Sequence, residues 1–184
     1  MPFDHFGFIA PLYNRQSIYS FLEVMVETGN FPTYGRLLDV GGGTGRVAEA
    51  LRGKAKQVVI ADPSFGMLKF AASKPGLQAA AAFSERLPFP DDFFERVIMV
   101  DALHHVVDQN ETAHELMRVL KPGGRIVIEE PDIRTMGVKL VALFEKLLLM
   151  RSHFLSPDQI VGLFSPGKAR ILTKGFNSWV VIEK

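Results

Sequence analysis

The 184 residues predict an α/β protein with a doubly wound, mostly parallel sheet that ends in an antiparallel hairpin. Short apolar runs of strand length alternate with helix-compatible segments, which is typical of parallel strands buried on both faces. A glycine-rich loop follows the first run, at the kind of position where such sheets bind ligands. The length suits one core, so a single domain over 1–184 is expected.

Five apolar runs predict the parallel part of the sheet. They are Arg36–Val40, Gln57–Ala61, Gln78–Ala82, Arg96–Val100 and Arg125–Glu130. A helix over Asn110–Leu120 is predicted before the last run. The turn Lys121–Gly124 should end this helix, because proline cannot continue it and glycine lets the chain reverse into the strand.

The C-terminal part is predicted to hold one more helix and the hairpin. Ser156 and Pro157 suit the cap and first turn of a short helix that runs to about Phe164. The two final runs flank a glycine-containing turn and therefore read as a hairpin. These runs are Ala169–Lys174 and Ser178–Glu183.

Composition and charge exclude several classes of function. The formal net charge is +1, which gives no electrostatic reason to expect a nucleic acid partner. The sequence contains no cysteine, so disulfides, thiolate nucleophiles and zinc–thiolate sites are excluded. The longest apolar stretch, 138–155, is interrupted by charged residues and is too polar for a membrane span. Because no signal peptide is recognisable either, a cytoplasmic protein is expected.

The loop after the first predicted strand is the clearest sign of a cofactor site. Gly41, Gly43 and Gly45 alternate along the loop, so that the backbone can turn tightly and approach a ligand. The dinucleotide fingerprint G-x-G-x-x-G fails, because its third glycine would fall at Arg46. Asp39 adds negative charge beside the loop, which suits a sulfonium and an ammonium better than two phosphates. These residues favour S-adenosylmethionine over a dinucleotide.

Five blocks in order extend this signal along the chain. They are L-L-D-V-G-G-G-T-G at 37–45, V-V-I-A-D-P-S-F-G-M-L at 58–68, E-R-L-P-F-P-D-D-F-F-E-R-V at 85–97, A-L-H-H-V at 102–106 and R-V-L-K-P-G-G-R-I-V-I-E-E-P at 118–131. With them the chain resembles the class I S-adenosylmethionine-dependent methyltransferases from about residue 3 to 184. Within that class it resembles the small-molecule branch that includes the ubiquinone/menaquinone biosynthesis C-methyltransferases.

The resemblance implies a Rossmann-like methyltransferase fold, and it assigns cofactor contacts to Asp39 and to the loop residues Gly41, Gly42, Gly43 and Gly45. It also implies S-adenosylmethionine as the cofactor, S-adenosylhomocysteine as its product and a small molecule as the methyl acceptor.

Asp62 ends the second predicted strand and is the expected ribose ligand. A short acid at a strand end can accept hydrogen bonds from both ribose hydroxyls. The alternative is that Asp62 caps the following helix over Ser64–Ser73. Pro63 and Met67 would then flank the adenine as apolar walls.

The end of the third predicted strand departs from the family pattern. Relatives usually carry an acid for the adenine amino group where this chain has Phe83. Backbone groups of Phe83 and Ser84, or the Ser84 hydroxyl, are therefore expected to contact the adenine edge, with the Phe83 ring packed on the purine. Glu85 is interpreted as a solvated or loop-organising charge.

The loop after the fourth predicted strand should lie beside the methyl-transfer point. Asp101 is placed near the methionine end of the cofactor, and either His104 or His105 could accept a proton at neutral pH. The alternative is that the histidines position the backbone or form the wall of the site. No metal is predicted, because no other histidine or acid sits at a recognised ligand spacing.

The resemblance implies that the N-terminal segment folds over the cofactor. Residues 1–33 are interpreted as a helical lid, with helical periodicity around Ile18–Met25. Tyr13 is the candidate for a lid side chain near the sulfonium, through cation–π attraction. The alternative is that Tyr13 only packs on the N-terminal helix.

Three functions remain open on the sequence. The first is methyl transfer to a small, hydrophobic or aromatic acceptor, since the N-terminal segment and the 138–155 segment offer apolar surfaces. The same surfaces could instead form the seam of a homodimer. The other two functions are cofactor binding without turnover, as in an interaction protein, and another nucleotide-dependent Rossmann enzyme such as an oxidoreductase.

Overall fold

The computed structural model describes residues 19–147, 152–164 and 167–184. The strands are β1 (Arg36–Val40), β2 (Gln57–Asp62), β3 (Leu77–Ala81), β4 (Phe94–Val100), β5 (Leu120–Pro131), β6 (Lys168–Lys174) and β7 (Asn177–Glu183). The helices are α1 (Tyr19–Thr28), α2 (Arg46–Leu51), α3 (Phe65–Ala72), α4 (Gln109–Val119), α5 (Met136–Leu147) and α6 (Pro157–Leu163). Two short 3-10 turns cover Arg52–Lys54 and Leu103–His105.

All seven strands join one sheet in the order β3-β2-β1-β4-β5-β7-β6. The first five strands pair in parallel, whereas β7 runs antiparallel between β5 and β6. This is the predicted doubly wound sheet with its C-terminal hairpin, and the prediction is confirmed. The strand order reverses between β1 and β4, and a crevice at the carboxyl ends of the strands is expected there.

Apolar side chains cover both faces of the central strands. In β1, Leu38 and Val40 pack into one core layer, and Leu37 packs into the other. In β4, Val97 and Ile98 divide between the layers in the same way. Strands buried on both faces must be apolar at successive positions, which explains the continuous runs in the sequence.

The predicted turn Lys121–Gly124 lies directly after α4, which ends at Val119. The strand assignment of β5 already begins at Leu120, which pairs with Phe94, but pairing with β4 resumes only at Arg125 with Arg96, so Lys121–Gly124 loop out between the two pairs. A register shift in the pairing between Phe94 and Arg96 makes room for a proline, which is tolerated at strand irregularities. β5 is therefore longer than the run predicted from the apolar residues alone.

The predicted lid over 1–33 and the apolar stretch 138–155 both include residues outside the described ranges. α1 confirms the helical periodicity near Ile18–Met25, but Tyr13 lies outside the described residues. α5 is helical to Leu147, and the chain is no longer helical where it is described again at Ser152. Within the described ranges, no helix combines the length and the apolar character that crossing a bilayer requires.

Candidate active site

A cleft opens at the carboxyl ends of the strands, where the strand order reverses. The space inside it, counted out to the open mouth, is about 1110 Å³. The predicted site residues that line it are Asp39, Gly41, Gly42, Gly43, Asp62, Pro63, Met67, Phe83, Ser84, Asp101 and His105. Gly45 and His104 do not line it.

The three alternating glycines of the loop after β1 all have positive φ, but an added Cβ would meet different surroundings at each of them. A Cβ at Gly41 would lie 2.6 Å from the Ala102 Cβ, and one at Gly45 would lie 2.7 Å from the Ile60 Cδ1. These two glycines are therefore required by packing within the protein. Among the residues that the structure describes, a Cβ at Gly43 would meet only the Met67 Sδ, at 3.6 Å. Gly43 is the glycine that keeps the cleft side of the loop open.

Asp62 ties this loop to the start of α3. Its Oδ2 accepts a hydrogen bond from the Gly43 amide at 3.0 Å, and its Oδ1 accepts one from the Ser64 amide at 2.8 Å. Ser64 is itself the N-cap of α3, since its hydroxyl accepts from the Met67 amide at 3.2 Å. The carboxylate thus supports the cap residue, and it also lines the cleft.

Asp39 is a buried acid beside the same loop. Burial and the nearby Asp62 raise its pKa to about 7, against the opposing effects of Arg46 and the Ala48 amide. Among the described residues, nothing donates a hydrogen bond to its Oδ2. An unpartnered carboxylate oxygen at a ligand cleft favours a cationic ligand, because a cation compensates the cost of burial.

A second buried acid lies behind the cleft, at the end of β5. Burial, with Asp101 and Glu130 nearby, raises the pKa of Glu129 to about 8. The Asn177 amide group donates a hydrogen bond to its Oε1. Asp39, Asp62 and Glu129 thus place acids toward the carboxyl ends of β1, β2 and β5, which suits a sulfonium and an ammonium and disfavours a pyrophosphate.

In the loop after β3, the Phe83 ring occupies the position where relatives usually carry an acid. The Phe83 side chain is 64% exposed and lines the cleft. The Ser84 hydroxyl is already engaged, 3.0 Å from the Thr112 hydroxyl and 3.2 Å from the Glu85 Oε2. Glu85 also accepts hydrogen bonds from the amides of Val107 and Asp108, so it joins the loops after β3 and β4. The Phe83 ring and backbone groups remain as contacts for an adenine.

The two adjacent histidines have different environments in the structure. His105 lines the cleft, and its Nδ1 lies 3.3 Å from the Ser152 hydroxyl. His104 is only 3% exposed, with its Nδ1 2.6 Å from the Glu130 Oε2. Within the described part of the chain, no three histidine or acidic side chains are grouped to hold a metal ion.

Comparison with known proteins connects this geometry to a family. The family described as a methyltransferase domain matches residues 38–128, from β1 into β5. The chain belongs to the class I S-adenosylmethionine-dependent methyltransferases. S-adenosylmethionine is the cofactor of that family, and the acid-rich cleft beside the open face of Gly43 fits its charge.

Relatives and structural neighbours of this methyltransferase differ in what they show. The ubiquinone/menaquinone biosynthesis C-methyltransferase of Pectobacterium carotovorum is 36% identical over 105 residues, which is 52% of this chain and 42% of that protein. The corresponding enzyme of Pseudomonas putida is 37% identical over 115 residues, 57% of this chain and 43% of that protein. The matches thus span less than half of these relatives.

A solved structure from Pyrococcus horikoshii has a TM-score of 0.80 and 19% identity, and the alignment covers 98% of this chain and 99% of that one. At that identity the likeness shows the fold alone.

Sequence reasoning missed the buried partner of His104 in this methyltransferase. Glu130 was interpreted only as the end of a strand, and Phe154 only as part of the apolar stretch 138–155. A signal was present, because two successive acids, Glu129 and Glu130, follow an apolar run. A charge at the end of a buried strand requires a polar partner, but only the fold shows which one.

Proposed function

We propose that this methyltransferase transfers a methyl group from S-adenosylmethionine to a small hydrophobic or aromatic acceptor bound in the cleft. The observation that carries the proposal is the lining of the cleft, which combines acidic and apolar side chains. Asp39 and Asp62 are among the acids, and Met99, Val106 and Val107 are among the apolar residues. The acids suit a cationic cofactor, and the apolar residues suit an acceptor of low polarity.

The cofactor assignments follow the geometry of the loops. Asp62 is proposed to accept hydrogen bonds from the ribose, and Pro63, Met67 and Phe83 to enclose the adenine. Asp101 and the glycine loop are proposed to face the methionine half, with Asp39 as the compensating charge. Tyr13 as a lid residue remains a prediction from the sequence.

The residues of this chain would then mainly orient the two reactants and exclude water from the cleft. When bound, S-adenosylmethionine supplies an electrophilic methyl group. The apolar residues of the cleft exclude water and hold the acceptor close, and proximity of this kind contributes about 7–11 kcal/mol at best. His105 is the histidine placed to take a proton from the acceptor, because it lines the cleft and His104 does not.

The exposed apolar face of α5 supports the second use suggested by the sequence. Leu140, Val141, Leu143 and Phe144 are each at least half exposed, and none of them lines the cleft. An apolar surface of this kind suits a protein contact better than water. A homodimer through α5 is therefore part of the proposal, and light scattering of the purified protein would test it.

Turnover with a panel of candidate acceptors tests the proposed function. The purified chain is incubated with S-adenosylmethionine and small phenols, quinols and aromatic amines, and mass spectrometry measures S-adenosylhomocysteine and methylated product. Formation of both with one class of acceptor supports the proposal. Tight cofactor binding without product from any acceptor would indicate an interaction protein, and binding of a nicotinamide nucleotide in its place would indicate another Rossmann enzyme.

A further inference from the structure

Glu130 makes an unusually complete set of contacts to the loop after β4. Its Oε1 accepts hydrogen bonds from the amides of Ala102 and Leu103, at 2.9 and 2.7 Å. Its Oε2 lies 2.6 Å from the His104 Nδ1. Both side chains are 3–4% exposed, so water competes little for these hydrogen bonds. One carboxylate therefore holds three successive residues of this loop.

The same loop is held from the opposite side by the segment 152–155. The His104 ring stacks on the Phe154 ring at a centroid distance of 4.2 Å and an interplanar angle of 14°. The carbonyl of His104 accepts a hydrogen bond from the His153 amide at 2.7 Å. The Gln109 side chain donates to the carbonyls of Leu103 and His153. His104 is thus the point where β5, the loop and this segment meet.

His105 stands next to this point, with its ring on the cleft side. The two imidazole centroids are 3.9 Å apart, and the Ser152 hydroxyl lies within reach of the His105 Nδ1. A change in the orientation of the His104 ring would therefore displace the His105 ring directly.

We propose that Glu130 is a positioning residue, which fixes the tautomer and orientation of His104 and through them the orientation of His105 in the cleft. The proposal rests on the proposed function, because it assigns His105 to the acceptor side. A carboxylate oxygen only accepts hydrogen bonds, so Nδ1 of His104 carries the hydrogen in this arrangement. A glutamine at 130 could still accept from the two amides, but its NH₂ group would donate to Nδ1 and reverse the tautomer.

Nitrogen-15 NMR of the histidine rings tests the proposal in the free protein. In the wild type, His104 should show a hydrogen on Nδ1. In Glu130→Gln, His104 should change to the Nε2–H form and the His105 ring signals should shift, while S-adenosylhomocysteine affinity measured by calorimetry stays within about threefold. Glu129→Gln is the matched control, because Glu129 is the neighbouring buried acid but bonds to Asn177. The histidine ring signals of Glu129→Gln should match those of the wild type.

A second pair of variants keeps the test valid if Glu130→Gln does not fold. His104→Asn retains a donor at the place of Nδ1 and should leave the His105 signals near those of the wild type. His104→Leu removes the donor and should shift them. The proposal is overturned if Glu130→Gln keeps the wild-type tautomer, if Glu129→Gln reproduces the change, or if the two His104 variants behave alike. If the wild type does not bind the cofactor, the proposed function is refuted, and the histidine signals still test the role of Glu130.

Discussion

Two buried acids, at the ends of neighbouring strands, give the cleft its charge. Asp39 is 1% exposed and has a carboxylate oxygen with no hydrogen-bond donor in the described part of the chain. Asp62 is 7% exposed, and both of its oxygens accept hydrogen bonds from backbone amides. Asp62 is therefore held in place before any ligand arrives, whereas Asp39 depends on a ligand to compensate its charge.

Replacing Asp62 by asparagine should weaken cofactor binding about tenfold or more. Asn keeps the shape and one acceptor oxygen for the loop amides, but it loses the charge-assisted hydrogen bonds expected to the ribose. Calorimetry with S-adenosylmethionine measures the loss. Ser156→Ala is the control, because it removes a helix cap of α6 remote from the cleft and should lower stability by about 1 kcal/mol without changing affinity. Wild-type affinity in Asp62→Asn would contradict the ribose assignment.

The affinity for S-adenosylmethionine should rise with pH up to about 7. Below the raised pKa of Asp39, about 7, the carboxyl is protonated in the free protein, so binding a cation has to release that proton. The affinity then falls by up to about tenfold for each pH unit below that value. Calorimetry between about pH 5.5 and 8 measures it. Asp39→Asn should abolish this dependence, and an unchanged dependence in that variant would refute the role of Asp39.

His105→Ala should lower turnover on a proton-bearing acceptor by about a hundredfold and remove a titration near neutral pH from the rate profile. The reason is that His105 lines the cleft and the proton of the acceptor would emerge there. Cofactor affinity should stay within a few-fold, since no adenosine contact is assigned to it. His114→Ala, an exposed histidine of α4, is the control. Wild-type rate and pH profile in His105→Ala would mean that catalysis is alignment alone.

At the scale of elements, the loops at the carboxyl ends of the strands support one another. Asp62 connects the glycine loop to α3, Glu85 connects the loops after β3 and β4, and Glu130 connects β5 to the loop after β4. In each case a carboxylate accepts backbone amides that no regular element satisfies. The site is therefore built from loops, but its loops are fixed by buried hydrogen bonds.

Gly43→Val should abolish cofactor binding with only a modest loss of stability. The added side chain would point into the cleft, where the Met67 Sδ is the only atom of the described residues within 4 Å of its Cβ. The positive φ of 54° adds backbone strain of about 1–2 kcal/mol. Gly175→Val in the β6–β7 turn is the matched control, because its φ is 64° and its Cβ would meet nothing within 4 Å. It should lose similar stability, measured by thermal unfolding, and still bind. Normal binding by Gly43→Val would show that this face of the loop is not the cofactor face.

At the scale of the whole molecule, the sheet buries acidic side chains at strand ends, where their ionised form lowers the stability of the fold. Its central strands are covered on both faces, so a carboxyl group at the end of such a strand enters a poorly solvated region. The pKa of Asp39 is raised to about 7 and that of Glu129 to about 8 for this reason. Such acids lower the stability of the ligand-free protein, which is the cost of preparing a site for a cation.

The melting temperature should fall as the pH rises from about 5 to about 8. In this window the unfolded chain has released both protons and the folded chain retains them, so the stability present below about pH 4 is lost as the pH passes through the raised folded pKa values. Glu129→Gln should melt several degrees above the wild type at about pH 8 and close to it at about pH 5. Scanning calorimetry measures both. Glu111→Gln, an exposed acid of α4, should show no such difference, and a wild-type melting temperature that rises over this range would contradict the account.

The sequence by itself determined the fold class and the position of the glycine loop after β1. The reason is that both depend on local patterns: continuous apolar runs follow from strands buried on two faces, and the glycines of 41–45 follow from positive φ at successive turns. The helix before β5 and the C-terminal hairpin were predictable for the same reason, with errors of a residue or two at their ends. The role of Asp62 beside the loop could be suggested, but not its two amide contacts.

Only the tertiary structure decided which polar groups meet. His104 and Glu130 are 26 residues apart, and Ser84 and Thr112 are 28 apart, so neither pair follows from any periodicity of the chain. The sheet order brings β4 beside β5, and this neighbourhood gives His104 a buried carboxylate and leaves His105 to the cleft. The early start of β5 was decided in the same way, because the pairing of Leu120 with Phe94 precedes the looped-out Lys121–Gly124 and joins segments far apart in the chain. A buried polar group takes whichever partner the packed strands place within reach, and that choice is made by contacts between distant segments.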